Sequence, residues 1–356
     1  MGRHPSIILC LILLCTCLFS GFSSDAGADL ELHFLDVGQG EASVLLCDGK
    51  VMMIDGGKAE YSQLIYSYLV NTLGIRHVDY LIASHPHSDH VGGLQAVLNA
   101  CSVDQIYTPL YYYNDPVFLG FRDMAVERNL PFIMPLAGTT LQFGGARVSF
   151  LAPYKMFGDI NDDSILLRIE YGATSFLFTG DAEIPEEQEV LAEYADALRS
   201  TVLKVGHHGS SSSSCAEFLE KVHPEIALIG TGAANSYGHP AAEVLGTLHD
   251  LGAEIYRTDL HGAVHLTSDG TSIAVQTERV PADPTITYTL TWADYLETES
   301  GMHSDAEYYV GNVKSLRFHL PTCEGAVKMS EKNRIRFETR DEAVQAGYKP
   351  CGTCNP

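Results

Sequence analysis

The sequence predicts an α/β protein of sheets layered with helices, followed by a small α+β unit at the C-terminus. Three observations predict it. Apolar strand-like runs open each half of residues 29–276 and then alternate with helical patterns, which implies sheets covered by helices. Histidines stand where those strands end, at His85, His87 and His90, at His207 and His208, and at His239. The last fifty or so residues carry two close pairs, His319 with Cys323 and Cys351 with Cys354, in a stretch too short to bury much core.

Each element rests on its own pattern. Leu30–Val37 alternates, with Leu30, Leu32 and Phe34 on one side, and Ala42–Cys47 and Val51–Ile54 follow as strands with Gly/Asp turns between them. Tyr61–Leu73 has helical spacing through Leu64, Ile65, Tyr68 and Leu69. Val78–Ala83 is a short apolar strand that runs into the first His cluster, and Val91–Ala100 reads as a helix. Pro116–Asn129 is helical, while Leu141–Phe143, Arg147–Leu151, Ser164–Tyr171 and Thr174–Phe178 are strands. Beyond Asp181, helices at Glu186–Leu198, Ala216–Lys221 and Ala241–Leu251 alternate with strands at Val202–Val205, Ile226–Ile229 and Ile255–Tyr256. Ala263–Thr267 and Ile273–Val275 are the last strands. Residues 277–305 lose periodicity and read as a linker to a unit at 306–356.

Composition limits the choices. Of 356 residues, 46% are apolar and 19% charged, which excludes a disordered chain. The net charge of −23 repels phosphate backbones and anionic membranes, so any nucleic-acid role needs local features. Such a feature exists: residues 306–356 hold 8 Lys/Arg against 6 Asp/Glu, whereas the remainder holds 14 against 39. Residues 1–28 read as an export signal. Arg3 and His4 precede an apolar run, Ile7–Phe19, that is short for a bilayer, and Ala26-Gly27-Ala28 fits a cleavage site. The expectation is a secreted or cell-surface protein without a stable span after cleavage; an uncleaved N-terminal anchor is the alternative. Cys10, Cys15 and Cys17 lack the pattern of a lipoprotein box. Of the other six cysteines, three cluster at the C-terminus, as in a metal knuckle rather than a disulfide framework.

His85, His87, Asp89 and His90 put four metal-ligating groups within six residues. Imidazole and carboxylate at this density suit zinc, manganese or iron. Alternation in an extended loop predicts His85, His87 and Asp89 on one side, with a turn returning His90. His85-x-His87-x-Asp89-His90 resembles the signature of the metallo-β-lactamase superfamily. Phe34-Leu35-Asp36-Val37-Gly38-Gln39-Gly40, Met53-Ile54-Asp55-Gly56-Gly57, Asn161-Asp162-Asp163-Ser164, Phe178-Thr179-Gly180-Asp181, Leu203–Ser210 and Gly238-His239-Pro240 resemble its ComEC-type branch.

The resemblance covers about residues 30–276 and implies a four-layer αββα sandwich with metals at one edge of the two sheets. It implies Asp181 as a ligand bridging two ions, His85 and His87 on the first ion, and Asp89 and His90 on the second. Many relatives of this kind place a further His before the bridging Asp, but no His occurs between residues 91 and 206. Asn161–Ser164 stands where it would fall, as a replacement ligand, a holder of water, an orienter of substrate, or a plain turn. One of His207 and His208, with His208 preferred, is a ligand or a general acid. The Ser210–Ser214 run is either a flexible loop or an anion cradle, with the loop preferred. His239 is the candidate last ligand; the resemblance implies that Asp36 and Asp55 support the ligands, with fixing its own loop the alternative for Asp36, and Asp259, His261 and His265 read as structural or surface residues. The candidate catalytic residues are Asp89, His207, His208, Asn161 and Ser164. The implied chemistry is hydrolysis by a hydroxide held on two divalent ions, zinc or manganese, because coordination lowers the pKa of water to about 7 in favourable zinc sites.

His319, Cys323, Cys351 and Cys354 suit a closed tetrahedral zinc site. Their surroundings, Tyr309-Val310-Gly311-Asn312 and Ala343-x3-Gly347-Tyr348-x-Pro350, resemble the zinc-binding domain of the DNA repair protein Ada. That domain has four Cys where this chain has His319, so methyl transfer is disfavoured and a structural zinc or DNA-binding role preferred. Lys314, Arg317, Lys328, Lys332, Arg334, Arg336 and Arg340 are available to phosphates, or form a solvated mixed-charge face. The reading reached is an exported metal-dependent phosphodiesterase acting on DNA. A small-molecule hydrolase of lactonase or β-lactamase type and a non-catalytic DNA-binding protein are the alternatives. Nothing in the sequence points to a protein partner.

Overall fold

The computed structural model describes residues 29–281 apart from residue 234, and residues 308–351 apart from residues 322, 338–341, 344, 345 and 347. The expected signal, most of the expected linker, Arg340 and Cys354 lie outside the described residues.

The strands run in chain order as β1 (Leu30–Phe34), β2 (Ser43–Cys47), β3 (Lys50–Ile54), β4 (His77–Ile82), β5 (Ser102–Tyr107), β6 (Phe132–Ile133), β7 (Thr140–Phe143), β8 (Ala146–Ala152), β9 (Leu166–Tyr171), β10 (Thr174–Phe178), β11 (Val202–Lys204), β12 (Ile226–Ile229), β13 (Glu254–Arg257), β14 (Val264–Ser268) and β15 (Ile273–Thr277). They form an eight-stranded sheet, β15-β14-β1-β2-β3-β4-β5-β6, and a seven-stranded sheet, β13-β12-β11-β10-β9-β8-β7. Within each, one half is antiparallel and the other parallel: β3 to β6 in the first, β10 to β13 in the second.

Period-two burial explains the pairing. Leu30, Leu32 and Phe34 of β1 meet Phe143, Phe150, Phe176 and Phe178 of the other sheet in a core between the two. The outer face of the first sheet is covered by α1 (Ser62–Ser67), α3 (Leu94–Ala100) and α4 (Pro116–Glu127), which bury Ile65, Leu94, Val97, Phe118 and Phe121. The second sheet carries α5 (Ile184–Tyr194), α6 (Ala216–Val222) and α7 (Ala242–Asp250) over Leu177, Leu203 and Ile229. The order helix, sheet, sheet, helix is the four-layer sandwich expected.

Some elements differ from the sequence reading. The helix expected at Val91–Ala100 begins earlier, as α2 (Ser88–Val91), and restarts as α3 after Gly92-Gly93. The glycines let this backbone touch the loop after β3: Gly93 N donates to Gly57 O at 2.9 Å, and Gly56 N to His90 O at 2.7 Å. The helix expected over Tyr61–Leu73 becomes π-helical at Tyr68–Thr72. Strand β5 was not legible because Asp104 and Gln105 break its apolar run, although Val103, Ile106 and Tyr107 are buried.

The C-terminal unit is a four-stranded sheet of β16 (Tyr309–Asn312), β17 (Arg317–His319), β18 (Arg334–Phe337) and β19 (Lys349–Pro350), ordered β18-β16-β17-β19, with α8 (Glu324–Val327) beside it. Its small cores hold Tyr309, Phe318, Phe337 and Tyr348, and Val310, Ala326 and Met329. Among the described residues no helix is long and apolar enough to cross a membrane.

Candidate metal centre

The site residues follow the carboxyl ends of parallel strands from both sheets, where loops are free to carry polar groups. The first sheet supplies Asp55 after β3, and His85 after β4. His87 is extended (φ −63°, ψ 146°) and caps α2, so Asp89 and His90 project from a helical turn. That corrects the extended-loop expectation: a 3.6-residue period, not alternation, sets their directions.

Asp55 has a positive φ of 57° and is fully buried. It accepts from Ser84 N at 2.8 Å and Ser84 Oγ at 2.6 Å. Its Oδ2 also takes the Nδ1–H of His90 at 2.7 Å. That bond leaves the lone pair of His90 Nε2 facing Asp181, the arrangement by which a carboxylate orients a metal-binding imidazole.

Asp181 enters from the second sheet. Gly180, at φ +52°, turns the chain, and a Cβ there would come within 2.9 Å of Ser164 Oγ. Ser164 Oγ accepts the Asp181 amide at 3.1 Å, which fixes the carboxylate. Asp181 Oδ2 then lies 3.2 Å from His90 Nε2, 3.5 Å from His208 Nε2, 3.8 Å from His207 Nε2 and 3.9 Å from His85 Nε2. His208 Nε2 is also 3.5 Å from Asp89 Oδ2, and His85 Nε2 is 3.1 Å from His87 Nδ1. His207 and His208 both adopt left-handed backbone, φ 48° and 56°, a strain of about 1–3 kcal/mol each that is characteristic of functional sites. His208 donates from Nδ1 to Gly230 O at 2.7 Å, so its Nε2 also points a lone pair inward.

These atoms fit a cation. His90 Nε2, His208 Nε2 and Asp181 Oδ1 are buried without a hydrogen-bond partner. Each such atom costs about 1–3 kcal/mol unless something satisfies it. His85, His90 and Asp181 form one compact ligand group, and Asp89, His90 and His208 another. The electrostatics agree. Burial, with the charge of His90, holds His85 well below the ordinary imidazole range, so it is neutral, as a ligand must be. Burial pushes the Asp181 carboxyl up, but His90 and His208 hold it well below the usual carboxylate range. His90 is driven well above its ordinary value despite burial, because Asp181 and Asp55 demand positive charge there; an ion at Nε2 would supply that charge in place of the proton and leave Nε2 its lone pair.

The remaining candidates sit around this cluster. His239 stands beside it, its ring 5.6 Å from that of His207 and 6.5 Å from that of His208, and burial followed by those two rings lowers it to about 4. Its loop is tied to the His207–His208 turn by Ala241 N donating to Gly209 O at 2.7 Å. Asn161 donates to Glu183 Oε1 at 3.3 Å, and Asp162 Oδ1 accepts from Glu183 N and Glu186 N at the start of α5. The Asn161–Ser164 turn thus supports Asp181 and α5 from behind. Ser210–Ser214 is packed rather than loose: Ser212 Oγ donates to Glu183 Oε1 at 2.8 Å and Ser213 Oγ to Ala182 O at 2.7 Å.

Sequence reasoning missed Lys204 and Glu41. Lys204 Nζ forms a buried ion pair with Glu41, lies 3.6 Å from Asp181 Oδ1 and donates to Gly180 O at 2.6 Å. The signal was present as a lone charge inside the apolar strand Val202-Leu203-Lys204-Val205. Glu183 was also missed; its Oε1 is 3.1 Å from His207 Nδ1.

In the C-terminal unit, buried His319, Cys323 and Cys351 form a third ligand group, with His319 Nδ1 3.5 Å from Cys323 Sγ. Burial, then Arg317, lowers His319, which keeps it neutral as a ligand must be.

Comparison with known proteins agrees with this geometry. Residues 35–232 match the family described as Metallo-beta-lactamase superfamily, and residues 291–356 match the Metal binding domain of Ada. Competence protein ComA of Neisseria gonorrhoeae is 34% identical over 231 residues, covering 64% of this chain and 31% of that protein. ComE operon protein 3 of Bacillus subtilis (strain 168) is 28% identical over 275 residues, covering 72% of this chain and 35% of that protein. The chain thus spans about a third of the length of these curated relatives. Among solved structures, the metallo-beta-lactamase fold protein YhfI from Bacillus subtilis covers 70% of this chain and 100% of its own, at 13% identity and a TM-score of 0.46. With its buried His and Asp groups at the strand ends and more than half its length matched, the chain belongs to the metallo-β-lactamase superfamily of metal-dependent hydrolases, in its ComEC-type branch, and ends in an Ada-type metal-binding domain.

Proposed function

We propose that this chain is an exported phosphodiesterase that hydrolyses DNA. The observation that carries the catalytic part is the convergence of four imidazoles on one buried carboxylate, with His90 Nε2, His208 Nε2 and Asp181 Oδ1 unsatisfied. The name of one relative, Competence protein ComA, supports DNA as the substrate. So does the Ada-type domain, whose Lys314, Arg317, Lys328, Lys332, Arg334 and Arg336 are exposed.

When bound, divalent ions supply a lowered water pKa and positive charge for the developing phosphorane. The protein's part is positional. Asp181 bridges the two halves of the site, His85 and His87 hold one side, and Asp89, His90 and His208 the other, with His239 closing the rim. Asp55 and Gly230 O hold His90 and His208 by their outer nitrogens, so that both inner nitrogens stay acceptors. His207, with its side chain 23% exposed and its Nδ1 against Glu183, is the proton donor to the leaving oxygen. Asn161 and Ser164 act through Glu183 and Asp181.

The full chain is stripped with a chelator, reloaded with manganese or zinc, and incubated with single- and double-stranded DNA. Metal-dependent cleavage, lost in His90→Ala, is expected. Turnover of nitrocefin or a lactone with DNA left intact would replace this reading by the small-molecule one, and tight salt-dependent DNA binding without cleavage by a binding role.

A further inference from the structure

We propose that Glu31, His33 and His265 form a separate metal site, for a first-row divalent cation of the zinc, nickel or copper class, which clamps β1 to β14. His33 and His265 are direct partners across this antiparallel pair. Glu31 lies two residues before His33, on the same face of the strand. That face is opposite to the one through which Leu30, Leu32 and Phe34 pack on the second sheet. It shares no residue with the cluster around Asp181.

The spacing is that of a ligand set. Glu31 Oε2 is 3.3 Å from His33 Nε2 and 3.3 Å from His265 Nε2. Two ligands about 2.05 Å from a tetrahedral ion lie roughly 3.3 Å apart. The three atoms form one compact group. The two rings stack, with centroids 4.2 Å apart and 7° between planes, so closing on an ion requires them to tilt toward each other.

His33 is the fixed member. Its side chain is 7% exposed, and Nε2 is buried without a hydrogen-bond partner. Its Nδ1 is 3.0 Å from Tyr68 Oη. With that oxygen accepting Nδ1–H, Nε2 keeps its lone pair toward Glu31, as an outer partner does for a ligating imidazole. Burial, then His265, brings His33 down to about 4, so it is neutral at neutral pH. Glu31 and His265, at 39% and 32% side-chain exposure, open the fourth position to water. Imidazole with carboxylate suits zinc, nickel and copper. An ion here would tie residues 234 apart in sequence and so hold the first strand to the last hairpin of the hydrolase unit.

The test is metal stoichiometry of the full chain, dialysed against buffered zinc, for wild type, His265→Ala and Glu31→Gln. Each variant is expected to bind one ion fewer than the wild type, with hydrolytic activity unchanged. A copper(II) spin spectrum with nitrogen coupling should weaken in His265→Ala. Glu31→Gln is nearly isosteric and half-exposed, so it reports even where His265→Ala fails to fold. Stoichiometry equal to wild type in Glu31→Gln overturns the proposal.

Discussion

The buried pair beneath Asp181 gives the sharpest test of how the site is built. Lys204 and Glu41 are both essentially inaccessible, and Lys204 Nζ is shared among Glu41, Gly180 O and Asp181. Burial alone would push the Glu41 carboxyl up, and Lys204 is the first group that opposes this. Lys204→Met keeps length and removes charge, so Glu41 is left as an unpaired buried acid and Gly180 O loses its donor. Removing one partner of such a pair costs about 3–5 kcal/mol. At about 2–4 °C per kcal/mol for a unit of this size, the melting midpoint should fall by roughly 6–20 °C. Glu41→Leu/Lys204→Met removes both charges and should recover most of that loss, because no ion is then stranded. Thermal unfolding followed by circular dichroism, in chelator at neutral pH, reads all three proteins. A Lys204→Met midpoint within a degree or two of wild type, or a double variant no better than the single one, would refute the account of this pair.

Asp55→Asn removes the charge that orients His90, and metal affinity measured by competition with a chromophoric chelator should weaken roughly 10–100-fold; unchanged affinity would contradict that role. Ser164→Ala leaves the buried Asp181 amide without its acceptor and should cost about 1–3 kcal/mol in urea unfolding. Because His33 titrates near 4 in the folded protein and near 6.5 unfolded, its stabilisation is present above about 6.5 and is lost as pH falls toward 4. That displacement corresponds to about 3 kcal/mol, and because burial raises Glu187 to about 7, which acts in the opposite direction over the same range, the test is read by difference: the fall in urea midpoint from pH 7 to pH 5 should be smaller in His33→Gln than in wild type, and an equal fall would contradict the assignment. In the C-terminal unit, Cys323→Ala or chelation should abolish the dispersion of its backbone signals, since so small a core leans on its ion.

Much of this molecule was legible because its signals are local. His85, His87, Asp89 and His90 are adjacent in sequence, and the apolar runs that became β3, β4, β10 and β11 point straight at Asp55, Ser84, Asp181 and His207. What stayed hidden depends on contacts between the sheets. Glu41 and Lys204 are 163 positions apart and look unremarkable until the sandwich closes on them. The serine run reads as a loose loop, yet Glu183 and Ala182 turn its hydroxyls inward. His265 looks like a surface residue, and only the pairing of β1 with β14 brings it to His33. The direction of Asp89 and His90 is hidden because their helical turn is bonded to distant segments, Gly56 N donating to His90 O and Glu41 N to Asp89 O, which no short-range pattern encodes.

The most direct test of the central claim is isotopic. DNA is cleaved by the manganese-loaded full chain in water enriched in oxygen-18, and the newly formed phosphate ends are weighed by mass spectrometry. Hydrolysis at the Asp181 cluster predicts one oxygen-18 per new phosphate end, with no product from Asp181→Asn. Intact DNA, or equal cleavage by Asp181→Asn, would contradict it.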